Sequence, residues 1–80
     1  MEIKILGMGC PRCEEVLKRT FNALAELNVA ADVQKVRDIK EISSYSVLST
    51  PGLVINGKVR AQGRIPSVME IKAWIQEETK

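Results

Sequence analysis

Residues 7–13, Gly-Met-Gly-Cys-Pro-Arg-Cys, most narrow what this chain can fold into, because they divide two different periodicities. Before them, Glu2, Ile3, Lys4, Ile5 and Leu6 alternate and include two β-branched residues, which is the pattern of a strand. After them, residues 11–27 repeat at helical spacing. At about 100° per residue, Cys13, Val16, Leu17, Thr20, Phe21, Ala23, Leu24 and Leu27 share one arc. Glu15, Lys18, Arg19, Asn22 and Glu26 share the other. The first arc, Phe21 included, is expected to face the core. Gly7 and Gly9 suit a tight passage into the helix, and Pro11 suits its first turn, where a backbone N–H is not needed.

The same stretch holds both cysteines of the chain, Cys10 and Cys13. A sulfur just before a helix feels unpaired N–H groups and the positive end of the helix dipole, which favour thiolate over thiol. The thiolate attacks disulfides and binds soft metals. Cys13 lies on the core arc with Leu17 and Leu24, whereas Cys10 falls at the helix mouth. One outer and one inner sulfur are therefore expected. A bond between them would close so short a loop that it stabilises by roughly 2 kcal/mol before strain. That suits a reactive pair better than a structural one.

The rest of the chain continues the alternation of elements. Residues 29–36 read as a second strand, with Val29, Ala31 and Val33 on the covered face. A long helix between two strands favours a parallel, right-handed crossover. Asp38 and Glu41 mark a short helix whose apolar side is Ile39 and Ile42. Thr50-Pro51-Gly52 precedes Leu53, Val54 and Ile55, which are apolar on both faces and read as a central strand. Asn56-Gly57 is a hairpin signal, returning through Lys58–Gln62 as an edge strand. Ser67 and Glu70 are spaced as a capping box for a last helix with Val68, Ile71, Trp74 and Ile75 on its apolar stripe. Lys58, Arg60 and Arg64 cluster near the fourth strand, where they would either steer acidic partners or guard an edge.

The order β-α-β-α-β-β-α predicts an α/β fold, a four-stranded mixed sheet flanked by helices, with strand order second, first, third, fourth. Eighty residues suit one domain spanning 1–80. A net charge of +2, evenly spread, does not argue for nucleic acid. No apolar run approaches the ~20 residues of a membrane span, and the N-terminus has no basic segment leading into an apolar one. A cytoplasmic, reducing location is expected. With no histidine in the chain, a cysteine–histidine or serine–histidine catalytic set is excluded.

These features together resemble the thioredoxin fold, and most closely the small thioredoxin- or glutaredoxin-like redox proteins of archaea and bacteria. The residues that carry the resemblance are Cys10-Pro11-Arg12-Cys13 between strand and helix, Thr50-Pro51 before an apolar strand, the Asn56-Gly57 hairpin and the closing helix. The resemblance implies a dithiol–disulfide oxidoreductase with Cys10 as nucleophile and Cys13 resolving. Pro11, Arg12, Thr50 and Pro51 would be active-site neighbours, and Pro51 would be cis and packed against the cysteine pair. No bound cofactor is implied, because the Cys10–Cys13 disulfide carries both electrons. The partners would be disulfide-containing proteins and a disulfide reductase as electron donor, with the chain a monomer. The glycine-rich acidic stretch by which glutaredoxins hold glutathione is replaced by Gly63-Arg64-Ile65-Pro66, which argues against glutathione.

Two other readings compete. Residues 7–13 also resemble the Gly-Met-x-Cys-x-x-Cys loop of heavy-metal-associated domains, in which Cys10 and Cys13 would carry copper(I). Those domains end on a strand, however, and this chain is expected to end on a helix. A zinc site would need four ligands, and so a second chain. The remaining reading is a binding module in which both cysteines are ordinary buried thiols.

Overall fold

The computed structural model describes residues 1–7, 11–47 and 49–79. Met8, Gly9, Cys10, Leu48 and Lys80 lie outside the described residues. The elements in order are β1 (Glu2–Leu6), α1 (Pro11–Leu27), β2 (Asp32–Val36), α2 (Ile39–Ser44), β3 (Gly52–Ile55), β4 (Lys58–Gln62) and α3 (Val68–Glu78). The sheet runs β2-β1-β3-β4, as expected. β1 pairs β2 in parallel, and β3 pairs both β1 and β4 antiparallel. Among the described residues no helix is long and apolar enough to cross a membrane.

Alternation along the two central strands builds two apolar layers. Ile3, Ile5, Leu53 and Ile55 face one side, where Val16, Ala23 and Leu24 of α1 and Ile71 and Ile75 of α3 cover them. Leu6, Val36 and Val54 face the other side, under Ile42 of α2 with Tyr45 and Val47. Because both faces are covered, β3 is buried at every position, which is why its sequence is apolar without a period. Thr20, buried within the α1 face, donates its hydroxyl to Val16 O at 2.8 Å, so no polar group there is left unpaired.

The turns form where the residues demanded them. Asn56 and Gly57 both take positive φ, 50° and 81°, which a tight two-residue hairpin requires. Ser67 and Glu70 close a reciprocal capping box on α3. Asp38 caps α2 by accepting from Lys40 N–H at 2.9 Å.

Three expectations are corrected. Phe21 is 53% exposed rather than buried. It stands roughly 110° from the centre of the covered arc of α1, and the sheet covers only the middle of that arc. Ile39 is 65% exposed. The covered row of α2 runs from Ile42 toward Tyr45 and Val47, leaving the first turn outside. The second strand begins at Asp32, not at residue 29. Asn28, at φ 55°, turns the chain off α1, and Val29 N–H still bonds back to Leu24 O, so residues 29–31 belong to the turn.

Candidate functional site

The candidate site lies where β1 ends and α1 begins. Cys10 lies outside the described residues, so the geometry comes from what surrounds it. Pro11 opens α1 and is exposed, as is Arg12. Cys13, the third residue of α1, is buried, at 5% exposure. It lies directly beneath Gly7, the residue at which β1 ends. A methyl group at Gly7 would overlap Cys13 Sγ and stand 3.3 Å from its Cβ. Gly7 is therefore more than a loose joint: its missing side chain is the space the inner sulfur fills. Its backbone is held by an N–H bond to Val36 O at 2.9 Å, which ties the end of β1 to the end of β2.

The loop before β3 closes the other side. Thr50 Cβ stands 3.9 Å from the point where a Gly7 side chain would begin, so Thr50, Gly7 and Cys13 meet although they are distant in sequence. The Thr50–Pro51 peptide bond is cis, and Pro51 is fully buried. Pro51 O accepts from Gly63 N–H at 2.9 Å. Gly63 O in turn accepts from Arg12 Nη2 at 3.2 Å. Gly63 thus links the Pro51 loop to the first turn of α1. It takes φ 72°, and a Cβ there would press on Ser49 at 3.1 Å, so the position favours glycine.

The expected residues therefore divide in three. Cys13, Thr50 and Pro51 lie together around Gly7, Arg12 reaches them through Gly63, and Cys10 is undescribed. Sequence reading assigned Gly63 only the end of a strand. A glycine directly after an edge-strand run is a weak signal by itself, and its role depends on contacts from residues far away in the chain.

The neighbouring charges are mostly committed. Arg64 and Glu70 pair at 2.8 Å beside the start of α3. Arg64 hydrogen bonding, followed by the Ser67 backbone N–H, lowers the Glu70 pKa to about 2. Lys58 and Arg60 meet Glu78 at 3.1 and 2.9 Å. The cations near the fourth strand are thus paired with the chain's own acids rather than free to steer a partner. Glu14, in the first turn of α1, accepts from Lys35 at 2.6 Å.

Comparison with known proteins agrees with this architecture. A family model described as a thioredoxin domain matches residues 1–76. The chain is 40% identical over 70 residues to a thioredoxin of Methanocaldococcus jannaschii, covering 88% of this chain and 80% of that protein. It is 33% identical over 72 residues to a thioredoxin of Methanothermobacter thermautotrophicus, covering 90% and 94%.

Proposed function

This chain belongs to the thioredoxin-domain family, and on that premise we propose that it is a dithiol–disulfide oxidoreductase working through Cys10 and Cys13. The observation that carries the reading is the setting of Cys13: buried under a side-chain-free Gly7, in the first turn of a helix, with Thr50 on the other side of Gly7. That setting suits a sulfur that waits for an intramolecular partner. The similarity to curated thioredoxins supports the same reaction class.

In the proposed cycle the Cys10 thiolate attacks one sulfur of a substrate disulfide. The substrate's other sulfur leaves as a thiolate and takes up a proton. Cys13 then loses its proton and attacks Cys10, expelling the second substrate sulfur. The protein gives up two electrons and two protons and ends with a Cys10–Cys13 bond, and the substrate gains a dithiol. A disulfide reductase returns the electrons. No other cofactor enters the cycle. Pro11 leaves the helix entrance without an N–H at its first position, and the exposed Thr50, ahead of the buried Pro51, presents its backbone to an extended substrate segment.

Alkylation across pH tests the reading. Cys10 is expected to react with a pKa below the ordinary ~8.5 of a thiol, and Cys10→Ser is expected to abolish reduction of insulin disulfides. An ordinary thiol pKa with no disulfide exchange would refute it. Tight stoichiometric copper(I) binding in place of exchange would return the metal-carrier reading.

A further inference from the structure

Unneutralised arginines stand on both sides of the candidate site. Leu6 pairs with Val36 in parallel register, and Gly7 N–H bonds to Val36 O. Arg37, next in the chain and exposed, therefore stands beside Gly7 on the β2 side. Arg12, also exposed, stands on the opposite side, held to Gly63 O at 3.2 Å and through Gly63 to the Pro51 loop. Among the described residues neither arginine meets a carboxylate. The nearby acids are engaged elsewhere. Glu14 holds Lys35, Asp38 caps α2, Glu41 meets Lys4 at 3.4 Å and Glu70 holds Arg64. At the other end of the sheet Lys58 and Arg60 meet Glu77 and Glu78, and Lys4 meets Glu2, so charges there are matched. Twelve basic and ten acidic residues look balanced as totals, but among the described residues the fold leaves Arg12 and Arg37, at the site end, without an ion-pair partner.

The geometry points to a docking surface for an acidic protein segment at the mouth of the site: a partner whose reactive disulfide is flanked by Asp and Glu, received between Arg12 and Arg37. This inference rests on the oxidoreductase reading and deepens it by naming the substrate class. Exposed charges around a reactive centre act mainly on encounter rate, and salt screens them. The preference is thus one of approach, separate from the thiol chemistry. Arg12 is well placed for it because its guanidinium is tethered, so less side-chain freedom is lost when a carboxylate arrives.

Two synthetic peptides test this, each closed by the same disulfide loop, one flanked by Asp and Glu and the other by Lys. The second-order rate constant for reduction by the pre-reduced protein is measured for each, with hydroxyethyl disulfide as a neutral reference. At low ionic strength the acidic peptide is expected to react about 10-fold faster than the basic one. The gap closes at about 1 M salt, where the screening length is about 3 Å. Arg37→Gln and the Arg12→Gln/Arg37→Gln pair each narrow the gap. Lys18→Gln, which removes the same charge from the outer face of α1, leaves it unchanged. If the Arg12 change disturbs folding through Gly63, Arg37→Gln alone carries the test. Equal rates with a flat salt response, or a faster basic peptide, overturn the docking surface while reduction of the neutral disulfide keeps the redox reading. Failure to reduce any of the three disulfides removes both.

Discussion

Gly7 illustrates how one absent side chain positions a reactive atom. Cys13 Sγ occupies the volume a Cβ at Gly7 would need. Gly7→Ala forces the end of β1 and the first turn of α1 apart, and overpacking of this kind costs about 1–3 kcal/mol. A lowered urea midpoint with an unchanged m-value is the expected readout, accompanied by slower closure of the Cys10–Cys13 bond. Cys13→Ser tests the proposed division of labour at the same point. With the resolving sulfur gone, reaction with a peptide closed by an internal disulfide is expected to stop at a covalent adduct on Cys10, visible as the mass of protein plus one whole peptide. Release of free peptide at the parental rate would assign resolution elsewhere.

The third helix shows how local chemistry at one element sets its response to pH. Ser67 and Glu70 satisfy each other's backbone N–H groups, and Arg64 adds an ion pair to the same carboxylate. Ser67→Ala removes one half of the box and is expected to lower stability by about 1 kcal/mol. Glu70 titrates at about 2 in the folded chain against an ordinary 4.5. A depressed carboxyl contributes stability that is fully present above its unfolded pKa and is lost as pH falls through the folded value. Glu78, lowered by hydrogen bonding from Asn56 and then Lys58, acts in the same direction. The melting temperature is therefore expected to fall between pH 4.5 and about 2, and Glu70→Gln to flatten part of that fall. The Arg64–Glu70 pair is largely open to solvent, so added salt weakens its share of the effect.

Across the whole molecule, protection should follow the layers. β1 and β3 are central, each with a strand on both sides and covered faces. α2 is a six-residue helix with Ile42 as its buried residue. Hydrogen exchange is expected to be slowest in β1 and β3 and fastest in α2, which opens without disturbing the larger layer. The far end is held by a separate clamp. Glu78 accepts from Asn56, Lys58 and Arg60, joining the β3–β4 hairpin to the end of α3. Glu78→Ala leaves a half-buried guanidinium with less of its partner set, so it should destabilise more than Glu14→Ala at the exposed Lys35 pair, a difference that parallel urea titrations would resolve.

The element order, the strand order and the burial of Cys13 were legible in the sequence, because each follows from periodicity and the rules that connect neighbouring elements. Period two and period 3.6 mark strands and helices, Asn56-Gly57 marks a hairpin, and Ser67 with Glu70 marks a helix start. The solvent exposure of Phe21 and Ile39 was not, since periodicity says which way a side chain points but not how far the covering layer extends. The same limit applies to Gly7, Gly63 and Arg12. Gly7 meets Thr50, and Arg12 meets Gly63, across more than thirty residues of chain, and only the assembled tertiary structure decides which backbone groups and which charges stand together there.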